Sequence, residues 1–409
     1  MTQGWVRAIR PKLTPLSSSS KNLPEFIVED ILLRLPVKSL LRFRCVCKSW
    51  CALITDPTFV KMHLNRSIEK DTNRSLIFIG SPFKSVDLDA CEMQAVEELE
   101  LPPLKPPKYS YQETKIGGSC NGLLCIYNSV EDMFLWNPST KRHRKLPFSP
   151  TESLDPYEKC DSFNLGLGYD PTSDDYKLVR IAQFSGSRFK SYSNSEVKVY
   201  SLSSNSWRNI PYMAKPFFLI NNPGFGVLAN SALHWVAFRE TGPDPIGSSF
   251  IISIDLQDEK YREVLLPDCK VTPLTFLGVR GGQLCAFYQF LDRVEVWVMK
   301  DYGMGDSWVK ELSIEQSVLR DGDDIKPVYY SKNGELILEI DFNALVLYDP
   351  SRGSARKLRI RGAHRIIGTK NCVGSLVPLY ANGGIEQAET KKKNRTQRVD
   401  VEIGRLAIN

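Results

Sequence analysis

Between residues 23 and 54 the apolar side chains recur at steps of three and four. Ile27, Val28, Ile31, Leu32 and Leu35 share one face of a helix that Leu23-Pro24 opens and Pro36 stops. Ser39 is the expected N-cap of a second short helix carrying Leu40, Leu41 and Phe43. A third presents Val46, Trp50, Leu53 and Ile54. Three such helices, about forty residues together, cannot bury this much apolar surface on themselves, so docking onto a partner is expected to complete them.

Beyond residue 70 the helical period gives way to short β-branched and aromatic runs separated by Gly, Asn, Asp and Pro. The runs repeat. Leu76, Leu123, Leu178, Leu233, Leu284 and Leu336 mark one strand at spacings of 47, 55, 55, 51 and 52 residues. A second strand follows at Phe134–Trp136, Val197–Tyr200, Ile251–Ile254, Val294–Trp297 and Ala344–Tyr348. A period near fifty residues with about four strands per unit predicts a kelch-like β-propeller of about six blades, with seven left open by the irregular stretch 81–116. The expected organisation is a disordered leader over 1–21, a helical module over 22–66, a propeller over 72–380 and a disordered basic tail over 381–409.

Successive strands A to D of a blade run antiparallel, so the B–C loops and the D–A connections share a face. The long segments 148–164, 183–195, 211–224 and 239–249 all fall there, whereas turns such as Asn121-Gly122 and Asn333-Gly334 fall on the other. Long loops on a rigid scaffold are where binding concentrates, and these carry the residue types that dominate interfaces: Phe184, Arg188, Phe189, Tyr192, Tyr212, Phe217, Phe218 and Arg239. Trp136, Trp207, Trp235, Trp297 and Trp308 recur with the repeat and are expected to pack between blades, while Asn137-Pro138, Asp170-Pro171 and Asp349-Pro350 are expected to set turns.

Charge changes the picture only by exclusion. Of the net +6, the first 20 residues hold +3, residues 21–66 hold +4 and residues 386–405 hold +2, leaving −3 on 67–385. That domain lacks the basic footprint of a nucleic-acid binder. No apolar run reaches the length of a membrane span. Ten scattered cysteines without a Cys-x-x-Cys pair read as reduced thiols, which points to the cytoplasm or nucleus. Four dispersed histidines and the absence of phosphate-loop, zinc-protease or serine-hydrolase motifs predict no catalysis, metal or cofactor. The Lys391–Arg398 run is a solvated tail, with nuclear import as the other reading.

The stretch Ile-Leu-x-x-Leu-Pro-Val-Lys-Ser-Leu-x-Arg-Phe-Arg-Cys-Val-Cys-Lys-Ser-Trp, from Ile31 to Trp50, resembles the F-box of plant F-box proteins. Gly118–Leu123, Leu135–Thr140, Leu167–Pro171 and Val199–Leu202 with Ser206-Trp207 are similar to the F-box-associated domain of plant F-box/kelch proteins, including the S-locus group. The resemblance implies a non-catalytic substrate receptor of an SCF-type ubiquitin ligase, binding a Skp-type adaptor and through it cullin and RING subunits. Leu23, Pro24, Ile31, Leu32, Leu35, Pro36, Leu40, Leu41, Val46 and Trp50 would form or support the adaptor surface, and the long-loop face would hold an unknown target protein. Two other readings remain: a propeller that binds a glycan or small molecule without degradation, and a kelch-type oxidase with clustered His and Tyr ligands.

Overall fold

The computed structural model describes residues 23–380 apart from 81, 90–95, 107–113, 130, 153–158, 186–191, 212–216, 220–224, 240–247, 268–275, 320–323, 342–343, 359 and 361–367. The expected leader and basic tail lie outside the described residues. The chain opens with four helices rather than three: α1 (Glu25–Leu33), α2 (Val37–Phe43), α3 (Lys48–Thr55) and α4 (Pro57–Lys70). Pro24 and Pro36 are the N-cap residues of α1 and α2, where a fixed φ suits the residue before a helix. Ser39 therefore lies inside α2, and its N–H donates to the Pro36 carbonyl (2.9 Å). The unforeseen helix is the longest of the four. Asp56 caps it, its carboxylate accepting from the N–H groups of Thr58 (2.8 Å) and Phe59 (3.1 Å), and Pro57 follows at the first position. Its buried stripe is Phe59, Val60, His63, Leu64 and Ser67, and the two polar members blur the apolar period.

Leu32, Leu40, Ile54 and Phe59 form the core of the helical module, with Val28, Leu33, Leu35, Phe43, Trp50, Leu53 and the distant Leu376 around them. On its other side α4 inserts Val60 and Leu64 among Cys120, Leu123, Val373, Val377 and Leu379 of the propeller. One helix is thus a wall of two cores. Part of the apolar excess read in the sequence is met within the chain itself.

Six antiparallel sheets follow. From inner to outer strand, blade 2 comprises Lys115–Cys120, Leu123–Ser129, Asp132–Asn137 and Arg142–Lys145. Blade 3 comprises Lys159–Asp170, Asp175–Ser185, Tyr192–Ser201 and Ser206–Asn209. In blade 4, Val227–Ala229 and Phe218–Leu219 both pair with Ala232–Arg239, ahead of Ser248–Asp255 and Tyr261–Val264. Blade 5 runs Phe276–Arg280, Gln283–Gln289, Arg293–Met299 and Trp308–Glu315, and blade 6 runs Ile325–Tyr330, Leu336–Ile340, Ala344–Asp349 and Ser354–Leu358. Blade 1 is composite. Its inner strand Gly368–Val373 comes from the far end of the chain and pairs with Arg74–Ile79, from Arg74 opposite Val373 to Ile79 opposite Gly368. The irregular stretch is not a seventh blade; it holds the outer strands Lys84–Asp87 and Glu97–Glu98 and the crossing to blade 2.

The six marker leucines all lie on the second strand of their blades and are essentially buried. Tryptophans join neighbouring blades by hydrogen bonds as well as by packing. Trp207 of blade 3 donates to the Pro147 carbonyl beyond blade 2, and Trp308 of blade 5 donates to the Leu265 carbonyl beyond blade 4, each at 2.8 Å. The ring of Trp235 lies so close to Gly166 and Gly226 that a Cβ on either would stand 2.7 or 2.5 Å from it. Asn137 does more than set a turn. Its Oδ1 accepts from Ser139 (3.0 Å) and Thr140 (3.3 Å), and its Nδ2 donates to the carbonyls of Ser375 (3.1 Å) and Val377 (3.0 Å). The segment after the closing strand is thereby tied to blade 2.

Candidate functional site

The strand directions divide the propeller into two faces, and the helical module occupies one of them. Lys61 of α4 pairs at 2.6 Å with Asp174, in the A–B turn of blade 3. Asp71, the left-handed C-cap of α4, accepts from the Tyr329 hydroxyl and from the Lys332 N–H (3.2 Å) at the A–B turn of blade 6. The Gly374 N–H donates to the Asn73 carbonyl (2.7 Å), and Asn73 Nδ2 donates to Ser67 Oγ (2.8 Å). These contacts reach blades 1, 3 and 6, so α4 is bolted across the ring rather than tethered beside it. His63 is buried at the joint, its Nε2–H donating to the Leu35 carbonyl (2.9 Å), and burial holds its pKa below the usual imidazole value.

Along α1 and at its two ends the apolar residues point two ways. Val28, Leu32 and Leu35 face the module's core, whereas Leu23, Phe26 and Ile31 keep 60%, 70% and 46% of their surface exposed. Val46, just before α3, is 59% exposed. Among the residues expected at an adaptor surface, Leu23, Pro24, Ile31, Pro36 and Val46 are therefore accessible. Leu35, Leu41 and Trp50 are half-buried, and Leu32 and Leu40 are wholly interior and can act only as support. Phe26 was not singled out from the sequence, although it stands three residues after Leu23 on the outward side. At the start of α3, Cys47 is the N-cap, and Ser49 and the Trp50 N–H lower the pKa of its exposed thiol.

The opposite face carries the B–C loops and D–A connections, and here the structure corrects two expectations. Phe184 belongs to a long paired strand of blade 3, opposite Asn194 and Cys160, and is buried. Phe217 is buried in the cluster between blades 3 and 4, and its carbonyl accepts from Gln183 Nε2 (3.1 Å). Both are scaffold: the strands of blade 3 run further into segment 183–195 than its polar composition suggested, and Phe217 stands directly before the paired strand Phe218–Leu219. Arg239 is engaged within its own blade, 3.0 Å from Glu263 and stacked 4.2 Å from the centre of the Phe250 ring. Tyr192 and Phe218 lie in strands; Arg188, Phe189 and Tyr212 lie outside the described residues. Among the described residues the large apolar groups exposed here are Phe148 (57%) and Leu265 (67%), in the connections from blade 2 to blade 3 and from blade 4 to blade 5, and Leu291 (100%), in a B–C turn of blade 5 too short for loop length to flag.

Among the described residues no group of three or more His, Cys, Asp or Glu side chains is placed to hold a metal ion. No described helix is long and apolar enough to cross a membrane. Two family patterns match the chain: the F-box domain over residues 21–62 and the F-box associated beta propeller domain over residues 76–375. The F-box protein CPR1 of Arabidopsis thaliana is 32% identical over 394 residues, covering 92% of this chain and 93% of that protein. An F-box/kelch-repeat protein of the same plant is 29% identical over 347 residues, covering 82% of this chain and 90% of the relative.

Proposed function

From the premise that this chain belongs to the F-box proteins that carry an F-box-associated β-propeller, we propose that it is the substrate receptor of an SCF-type ubiquitin ligase. The observation that carries the reading is the set of exposed apolar side chains Leu23, Phe26, Ile31 and Val46 on a small helical module bolted to the propeller face away from the long loops. Several exposed large apolar side chains on one small helical unit mark a docking surface for a partner. A Skp-type adaptor covers these side chains and links the chain to cullin and RING subunits. The opposite face holds a target protein, with Phe148 and Leu291 among its exposed apolar contacts.

The chain's own contribution to the chemistry is position. Holding a target lysine near a ubiquitin-charged enzyme converts a bimolecular encounter into one of high effective concentration, and a rigid link sets the distance. Such a receptor acts in the cytoplasm, the nucleus or both. The test is co-purification of the wild type and Phe26→Glu from plant cells, with bound proteins identified and their turnover followed. Loss of adaptor and cullin from the variant, with other partners retained and no longer degraded, supports the reading. Adaptor retained at wild-type levels by Phe26→Glu refutes it.

A further inference from the structure

The inner strands of the six blades line a central channel, and three blades bring charge or an aromatic ring to one end of it. Lys326 is the second residue of the inner strand of blade 6, and Lys370 is the third residue of the inner strand of blade 1. Both strands start from D–A connections, which places these residues toward the long-loop mouth. Phe225, just before the inner strand of blade 4, reaches them from the far side of the ring. Lys370 Nζ stands 3.2 Å from the centre of the Phe225 ring and Lys326 Nζ 5.9 Å from the same centre. Two ammonium groups from adjoining blades thus converge on one aromatic floor.

Their partners are incomplete. Glu339, the cross-strand neighbour of Lys326, brings a carboxylate oxygen to 3.8 Å from Lys326 Nζ, an ion pair without a hydrogen bond. Glu339 is 1% exposed, and neither of its oxygens has a hydrogen-bond partner. At the end of the same hairpin the Asp324 N–H donates to Asp341 Oδ1 and the Asp341 N–H to the Asp324 carbonyl, both at 2.9 Å, and the Asp324 carboxylate adds a longer-range attraction on Lys326. No carboxylate of the described residues pairs with Lys370. Its burial, and then Lys326 beside it, hold the Lys370 ammonium well below its usual pKa against the opposing pull of Glu339. Buried charges of this kind cost several kcal/mol each unless paired and hydrogen-bonded. Lys326 has Glu339 beside it and Asp324 farther off to offset its charge, whereas Lys370 has no carboxylate within ion-pair distance among the described residues, and one open place beside a single ammonium suits a carboxylate better than a doubly charged phosphate. Phe225 and Lys370 both keep partial exposure, so the group that meets that charge can enter from solvent.

Resting on the receptor reading above, we propose that the long-loop mouth of the channel reads a carboxylate of the target. The carboxylate, from an acidic side chain or a chain terminus, lies between Lys326 and Lys370, with Phe225 beneath it. The test uses the full chain, purified together with adaptor where it takes one up, and three pools of degenerate fluorescent nonapeptides. One pool has a fixed central Glu and an amidated end, one is neutral with a free C-terminal carboxylate, and one is neutral and amidated. Anisotropy is expected to show one acidic pool binding at least about tenfold more tightly than the neutral amidated pool, and the better pool identifies the source of the carboxylate. Lys370→Met is expected to erase the preference while the thermal midpoint holds or rises, and Lys370→Arg to retain it. Where Lys326→Met fails to fold because Glu339 is stranded, Lys326→Met with Glu339→Gln reports in its place. Equal binding of all three pools, or a preference that survives Lys370→Met, overturns the proposal. Discriminating pools in a chain that never takes up adaptor would overturn the receptor reading and leave the carboxylate pocket standing; adaptor binding with indifferent pools does the reverse.

Discussion

Phe26 and Leu32 sit six residues apart on α1 and answer to different free energies. Phe26 is 70% exposed and Leu32 is 0% exposed. A Phe side chain buries some 150–250 Å² when fully covered, so covering what remains open on Phe26 removes on the order of 140 Å² from water. At about 25 cal/mol per Å² that is about 3 kcal/mol, an upper value because docking also orders the side chain. Phe26→Ala should therefore weaken adaptor binding by up to about a hundredfold, as read by calorimetric titration of purified adaptor, while the melting temperature of the free chain stays put. Leu32→Ala should do the opposite first, costing about 2–5 kcal/mol of stability through the cavity it opens in the module's core. The reasoning fails if Phe26→Ala binds adaptor within a factor of two of the wild type. It fails equally if Phe26→Ala melts as early as Leu32→Ala, because the ring would then be a core group.

Asn137→Ala should destabilise the chain by about 2–4 kcal/mol in urea, since two buried carbonyls and two N–H groups lose their partner, and hydrogen exchange should rise first over residues 374–380. His234 is fully buried, its Nδ1–H donating to the Val227 carbonyl (3.1 Å) and its Nε2 accepting from the Tyr302 hydroxyl (2.8 Å). Burial drives its pKa down to about 4, so the folded chain keeps the ring neutral while the unfolded chain takes up a proton below about pH 6.5. Its contribution is intact above that value and lost as pH falls toward 4, about 2 kcal/mol being gone at pH 5. The urea midpoint should track that loss, and His234→Gln should flatten it. Lys61→Ala, by contrast, should change the unfolding free energy in urea by no more than about 0.5 kcal/mol, because the pair it makes with Asp174 is half exposed on both sides.

The propeller was legible because its repeat is carried by fully buried residues: a leucine at each second strand sets the register of every blade, and no local chemistry competes with it. The closing strand was not, since Gly368-Thr369-Lys370-Asn371-Cys372-Val373 is an inner strand and lacks that leucine. The helical module was legible as apolar steps of three and four, but those steps fit Ile31 and Leu32 equally. Which of the two turns inward depends on α4 and on Leu376, more than three hundred residues away. The α4 stripe hid because His63 and Ser67 occupy buried positions on the strength of hydrogen bonds that no period reports. Phe184 was misread for the converse reason, as an aromatic among polar residues whose strand continues past the point where composition changes, and Phe217 because the short apolar run Phe217-Phe218-Leu219 reads equally as loop and as strand. Exposure of Phe26 and the convergence of Lys326 with Lys370 are tertiary facts, set by which blades meet.

The pairing of Arg74–Ile79 with Gly368–Val373 also orders events in time. On the ribosome, the helices and the first outer strands emerge roughly 300 residues before the strand that completes their blade, a wait of about 15–60 s at about 5–20 residues per second. Throughout that interval Val60 and Leu64 of α4 lack Val373, Val377 and Leu379, and the module's core lacks Leu376. A chain cut short before blade 1 closes, whether by a premature stop codon or by stalled elongation, carries an α4 with no seat. Loss of even the last few residues of the ring is therefore felt at the helical module, so truncated products should compete poorly with the finished chain for whatever docks on that module.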